Sequence, residues 1–197
     1  MKLIIKSSLY LLLMTVLLGG AYTAVVTATA QAFFPFQANG SVIEAGGKKY
    51  SLLIGQDFRE QNHLWGRPMN IDTETFKGGD NEKLLYSWPT NMSPAGEKFA
   101  AAVEKRVAGI KAAHPEMGSH PVPAELVTVS GSGLDPHISP SAAEYQVLRI
   151  AKSSGKSEEY VRKIISSATD KPFLGIIGEA CVNVLLVNLK LDGIIAE

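Results

Sequence analysis

Leu9-Tyr10-Leu11-Leu12-Leu13-Met14-Thr15-Val16-Leu17-Leu18-Gly19-Gly20-Ala21-Tyr22-Thr23-Ala24-Val25-Val26-Thr27-Ala28-Thr29-Ala30-Gln31-Ala32 carries no charge, and lies within a longer uncharged interval between Lys6 and Glu44. A bilayer's hydrocarbon core is about 30 Å thick and a helix rises about 1.5 Å per residue, so roughly 20 apolar residues cross it. This run is long enough to cross with some tilt. Backbone groups in lipid find no water, so such a segment crosses as a helix with its hydrogen bonds closed internally. The reading is a short tail over 1–8, a transmembrane helix over 9–32 and a soluble extracytoplasmic domain over 33–197.

The competing reading is a cleaved secretory signal, with Lys2 and Lys6 as its basic start and Ala28-Thr29-Ala30 or Ala30-Gln31-Ala32 as the cut. Signal apolar cores run about 7 to 15 residues. Here the apolar stretch continues past Val26, and Phe33-Phe34-Pro35-Phe36 supplies an aromatic anchor at headgroup depth, which favours a retained helix. Lys2 and Lys6 place the N-terminus in the cytoplasm; Lys48 and Lys49 sit at the far edge of the window that counts. Gly20, Ala24, Ala28 and Ala32 recur every fourth residue, a small-residue stripe of the kind that packs helices in lipid, or chance in an Ala-rich span.

About 160 residues follow the aromatic anchor, enough for one domain with a proper core. With Lys2 and Lys6 set aside, the acidic and basic residues nearly balance, so no strong field draws nucleic acid. Cys181 is the single cysteine, which excludes an internal disulfide and a Cys-rich metal framework, and His63, His114, His120 and His137 show no ligand-like spacing. No metal site is expected.

The pattern predicts strands at Lys49–Ile54, Glu125–Val129 and Val182–Leu191, helices from Ser93-Pro94 to Ala113, from Ala142 to Lys152 and from Glu158 to Ser167, and a loop-rich stretch over 59–93. Ser139-Pro140 and Ser157 read as helix starts, Gly155 as a stop. The fold class is α+β.

Chemistry would reside, if anywhere, in Ser130-Gly131-Ser132-Gly133-Leu134-Asp135-Pro136-His137-Ile138-Ser139-Pro140, since a glycine bend between a strand and a helix can present N–H groups to an anion. A nucleoside-triphosphatase loop needs a different glycine spacing and a lysine. No lysine lies between Gly118 and Arg149. A hydrolase using Ser132, Asp135 and His137 is the rival reading, but no glycine-x-serine-x-glycine elbow frames Ser132. The plainer reading is a displayed loop in which Asp135 and Ser139 bond nearby backbone N–H groups and the prolines stiffen the bend.

Several ordered motifs then coincide: Phe34-Pro35-Phe36-Gln37-Ala38-Asn39-Gly40-Ser41, Leu53-Ile54-Gly55-Gln56-Asp57-Phe58, Gly66-Arg67-Pro68, Val122-Pro123-Ala124-Glu125-Leu126-Val127-Thr128, Tyr145-Gln146-Val147-Leu148-Arg149-Ile150-Ala151, and Val182 to Asp192. In these the chain resembles, over nearly its whole length, the C subunits of the Kdp-type potassium-transporting P-type ATPases. The resemblance implies an accessory membrane subunit that joins a channel-like potassium subunit and an ATP-hydrolysing subunit. It also implies a catalytic chaperone that raises the partner's ATP affinity by sharing nucleotide transiently. If nucleotide touches this chain, the surface would be Ser130, Gly131, Ser132 and Gly133 with Gln146 and Arg149. An extracytoplasmic domain conflicts with cytoplasmic ATP; the alternative is a domain that caps the partner's potassium entrance. Met69-Asn70, the stretch Gly78 to Pro89 and Ala180-Cys181 depart from the family's usual pattern.

Overall fold

In the computed structural model, residues 1–79 and 84–196 are described, and the chain divides into two compact units, Met1–Ile43 and Glu44–Glu197. The first is a continuous helical rod from Lys2 to Phe33, built of α1 (Lys2–Met14), a wide π-helical segment (Thr15–Tyr22) and α2 (Thr23–Phe33). No residue of the rod's α1, π or α2 segments is buried. Three of its threonine hydroxyls bond the helix's own carbonyls: Thr15 Oγ1 donates to that of Leu11 at 2.9 Å and Thr29 Oγ1 to that of Val25 at 2.8 Å. Thr23 Oγ1 instead reaches five residues back, to the Leu18 carbonyl at 3.1 Å, following the wider turn.

The rod ends where Phe34 leaves helical geometry ahead of Pro35, and α3 (Pro35–Ala38) adds one turn. Asn39 Nδ2 donates to the Pro35 carbonyl at 2.6 Å, and the Asn39 and Gln31 side-chain amides bond each other reciprocally at 3.1 and 3.3 Å. That exchange satisfies both amides where the chain turns off the helix. Gly40 and Ser41 then take positive φ, 84° and 49°, and β1 (Val42–Ala45) pairs with β2 (Lys48–Ser51) across Gly46-Gly47, both left-handed as a tight hairpin requires.

The second unit mixes short strands and helices, as an α+β domain should. β3 (Ile71–Asp72) pairs antiparallel with β4 (Tyr86–Ser87). α4 (Glu97–Ala113) sends Val103, Val107 and Ile110 into the core and ends before Pro115. It starts at Glu97 rather than at Ser93-Pro94, because the Gly96 N–H closes a turn onto the Ser93 carbonyl and Gly96 itself is extended. β5 (His137–Ile138), β6 (Thr169–Asp170) and β7 (Cys181–Asn183) form an antiparallel sheet with β7 central. Around it pack α5 (Pro140–Glu144), α6 (Val147–Ser154), α7 (Glu158–Ser167) and α8 (Val184–Leu191). The core is Leu64, Ile138, Val147, Ile150, Val161, Ile164, Val182 and Val187, each at most 2 % exposed, with their neighbours.

Helix starts follow the side-chain caps. Ser139 Oγ accepts from Ala142 N at 3.2 Å and Ser157 Oγ from Tyr160 N at 3.1 Å, and α7 runs over the expected residues. Gly155 stops α6 in the left-handed conformation, φ 69°.

Four further expectations are corrected. Glu125–Val129 is no strand: Pro123 sets up a 3₁₀ turn over Ala124–Leu126, closed by Leu126 and Val127 N–H bonds to Pro123 and Ala124. The strand expected over Val182–Leu191 stops at Asn183, whose Oδ1 accepts from Leu186 N at 3.1 Å and starts α8; a short apolar run cannot by itself separate a strand from a buried helix. The single helix expected over Ala142–Lys152 is two. Gln146 Nε2 takes the Ala142 carbonyl at 3.2 Å, the backbone N–H bonds Ala143 instead, and the break falls there. The strand at Lys49–Ile54 is shorter, ending at Ser51, whose hydroxyl accepts from Leu53 N. Part of the divergent stretch Gly78 to Pro89, residues 80–83, lies outside the described residues.

Candidate functional site

Residues 60–65 have no strand partner among the described residues, and three buried side chains serve their backbone instead. Asn188, fully buried on α8, accepts from Leu64 N at 2.7 Å and donates to the Leu64 carbonyl at 2.9 Å. Gln146 does the same for Trp65, at 2.9 and 3.0 Å. Arg149, only 4 % exposed, donates to the carbonyls of Gln61 at 2.5 Å and His63 at 2.9 Å, to Gln146 Oε1 at 2.8 Å and to His114 Nε2 at 2.9 Å. Its guanidinium carbon lies 4.2 Å from the centre of the Trp65 ring.

Burial lowers the Arg149 pKa to about 10, against a smaller raising pull from Glu116, so the group stays charged at neutral pH. His114 is fixed as the Nδ1–H tautomer: Nδ1 is 2.7 Å from the Ile110 carbonyl, and Nε2 must accept from arginine, which has only donors. Desolvation lowers the His114 pKa, the Ile110 bond opposing it. His63 lies between two carboxylates, Nε2 2.9 Å from Asp192 Oδ1 and Nδ1 2.8 Å from Glu60 Oε2, the second an ion contact outside hydrogen-bond geometry.

The glycine bend is equally occupied. Ser130 Oγ accepts from Gly133 N at 3.0 Å and Ser132 Oγ from Leu134 N at 3.1 Å, with the two hydroxyls 3.2 Å apart. Gly133 has φ 73°, and a β-carbon there would sit 2.7 Å from the Trp88 carbonyl oxygen and 2.9 Å from that of Asn70. Gly55 docks on the far side through N–H to the Leu134 carbonyl at 2.8 Å. Only Gly131 and Ser132 of the bend remain exposed. The residues expected to meet nucleotide are therefore near one another in sequence order but differently engaged, and Gln146 and Arg149 spend their donors inside the domain.

Ser132, Asp135 and His137 do not assemble as a relay. Asp135 Oδ1 accepts from His137 N at 3.0 Å and Oδ2 lies 3.6 Å from Arg67 Nη1. The His137 ring faces Asp135 at 3.8 Å and the Asn183 amide at 3.4 Å, while the Ser132 hydroxyl is engaged with Ser130 and Leu134.

Two features were missed in the sequence. Cross-strand pairing brings His137, Asp170 and Cys181 together, with ligand atoms all within 4.8 Å of one another. Burial, then Asp170 and Asp135, push the Cys181 thiol up. Between β6 and β7 the chain also makes a tight loop, closed by Phe173 N to the Ile177 carbonyl at 2.8 Å, that leaves Phe173, Leu174, Ile176 and Ile177 between 60 and 81 % exposed. The sequence pattern assigns these residues no element, and nothing in it marks them as displayed.

In the rod, Ala24, Ala28 and Ala32 share the regular helix α2, while Gly20 falls in the π-helical segment. An added β-carbon at Gly20 would meet nothing within 4 Å.

Residues 4–193 match the family model described as KdpC: K+-transporting ATPase, c chain. A protein of Clostridium perfringens named potassium-transporting ATPase KdpC subunit is 51 % identical, with the whole of both chains covered. Proteins of the same name from Clostridium botulinum and Sorangium cellulosum are 51 % and 46 % identical, the first over 96 % of this chain and 95 % of its own, the second over 93 % of each. The chain belongs to the KdpC family, the c chains of K+-transporting ATPases.

Proposed function

We propose that this chain is the non-catalytic accessory subunit of an ATP-driven, high-affinity potassium-uptake complex. Its task is to hold a channel-like potassium-translocating subunit and an ATP-hydrolysing P-type subunit together. The match over nearly the entire chain to proteins named as subunits of such an ATPase carries the reading. The rod Lys2–Phe33 crosses the cell membrane with its N-terminus in the cytoplasm, and the domain stands outside. Ala24, Ala28 and Ala32, with Gly20 one turn away, give the rod a face on which a partner helix approaches closely. The Phe173–Ile177 loop gives the domain an apolar contact for a partner, since exposed patches of this kind mark interaction surfaces.

ATP enters this scheme as the partner's ligand. Any rise in ATP affinity caused by this chain is transmitted through assembly, because Gln146 and Arg149 are committed to the backbone of residues 60–65. The test is purification of the tagged full chain from detergent-solubilised membranes of potassium-limited cells. Two larger membrane proteins and potassium-stimulated ATPase activity should accompany it. A chain that emerges alone, or in the aqueous fraction without its first thirty or so residues, defeats the proposal. Labelling of this chain by a photoreactive ATP analogue, competed by ATP, would defeat the narrower statement about nucleotide.

A further inference from the structure

The three-stranded sheet places three potential metal ligands on one of its faces. Asp170 on β6 is the direct cross-strand partner of Cys181 on β7. His137 on β5 is the partner of Asn183, two residues beyond Cys181. Side chains alternate along a strand, so positions 181 and 183 share a face, and antiparallel partners point the same way. The sulfur, a carboxylate oxygen and an imidazole nitrogen consequently converge within 4.8 Å of one another.

We infer that His137, Asp170 and Cys181 form a binding site for a borderline divalent cation, of which zinc is the best fit. One thiolate, one imidazole and one carboxylate are the donor types zinc accepts, with metal–sulfur near 2.3 Å and metal–nitrogen near 2.0–2.1 Å. Ligand atoms around a tetrahedral zinc stand about 3.5 Å apart by that geometry, so the set closes on an ion by bringing its atoms in from within 4.8 Å of one another. Calcium and magnesium, which take oxygen ligands, are excluded by the sulfur and the nitrogen. The fourth position is open to water.

The surroundings suit a cation. Asp170 and Asp135 both put negative charge beside the sulfur, and Asp135 Oδ1, which accepts from the His137 backbone N–H, lies 3.8 Å from His137 Nδ1, an ion contact rather than a hydrogen bond. The Asn183 amide, held by its 2.9 Å donation to the Leu52 carbonyl, lies 3.4 Å from His137 Nε2, a long contact that the ring gives up if that nitrogen takes the ion. Cys181 is half-buried and Asp170 exposed, which leaves an entry path from solvent. Asp170 and Cys181 also stand at the two ends of the segment that carries the apolar loop Phe173–Ile177. A bound ion fastens that loop's base.

The experiment uses the full chain in detergent, stripped with a chelator and kept reduced. Zinc titrated alone should bind at one equivalent, and the unfolding temperature should rise with zinc. Cobalt(II) should give tetrahedral visible bands together with a near-ultraviolet thiolate-to-metal band. Cys181→Ser should remove the thiolate band and weaken zinc binding at least about 10-fold, and His137→Ala should weaken it comparably; losses of this size follow even from perturbing a metal site's outer shell. Asp170→Asn serves as the milder variant, which keeps the side chain's size and the strand pairing. Equal zinc affinity in wild type and Cys181→Ser, or no binding by a wild-type chain whose unfolding is cooperative, overturns the assignment.

Discussion

Replacing Arg149 with methionine tests whether the buried guanidinium holds residues 60–65 in place. Methionine fills much of the same space but donates nothing. It strands the carbonyl of His63 and the Nε2 atom of His114, while the Gln61 carbonyl keeps its 2.6 Å bond from Ser153 Oγ and Gln146 Oε1 keeps its bond from Trp65 N. Each stranded acceptor costs about 1–3 kcal/mol. Two such acceptors cost about 2–6 kcal/mol, and relief of the guanidinium's own desolvation offsets part of that, leaving about 2–5 kcal/mol. The domain's whole stability is of the order of 5–15 kcal/mol, so the variant loses a large share of it, with a melting temperature lower by roughly 4–20 °C at about 2–4 °C per kcal/mol. Arg149→Lys should recover little, since one ammonium cannot reach four acceptors spread around a planar fork. The assay is urea unfolding of the full chain in detergent, followed by fluorescence of Trp65 in a Trp88→Phe background, because the Trp65 ring lies directly under the guanidinium. A loss below about 1 kcal/mol for Arg149→Met, set against the costs above, would show that water serves these acceptors as well as arginine does.

Other consequences are open to measurement. Because the His114 pKa is lowered on folding, the unfolded chain takes up its proton first as pH falls, near the ordinary histidine value of about 6.5. The stability from neutral His114 is thus fully present above that pH and is lost below it, down to the depressed folded value. The urea midpoint should fall between pH 7 and pH 5, and more steeply in wild type than in His114→Phe; parallel slopes would assign the acid sensitivity elsewhere. Gly133→Ala should cost about 1–3 kcal/mol for the left-handed backbone alone and more for the contacts at 2.7 and 2.9 Å, whereas Gly131→Ala, with open space and no positive φ, should stay within about 0.5 kcal/mol. Equal thermal shifts for the two would discredit the packing described for the bend. Ile176→Glu in the exposed loop should leave the melting temperature unchanged yet lower the yield of co-purified partners, and undiminished recovery would remove the loop from the assembly surface.

Where a local rule decided the structure, the sequence was legible. The uncharged interval gave a long apolar helix, and hydroxyl caps at Ser139 and Ser157 with the Gly155 stop gave helix ends within a residue or so. It failed where a distant group outbid the local preference. Ala142–Lys152 has helical spacing throughout, and only the Trp65 backbone, 81 positions from Gln146, explains why the Gln146 side chain sits where it donates to the Ala142 carbonyl of the preceding turn. Val182–Leu191 is apolar enough for either strand or helix, and the choice fell to Asn183, whose capping role is visible only once Leu186 N is in place.

The same distinction governs the site. Gln146 and Arg149 stood out through the family resemblance, as donors for nucleotide if nucleotide touches this chain. In the structure both are engaged internally: a loop without a strand neighbour needs its N–H and C=O groups answered, and Gln146, Arg149 and Asn188 answer them. The His137, Asp170 and Cys181 cluster is the converse case. The histidines show no ligand-like spacing and Cys181 stands alone, because motif spacing along a chain detects ligands that share a helix or a turn. Ligands gathered across three antiparallel strands have no fixed spacing at all, only a register, and that register exists only after β7 has paired on both sides.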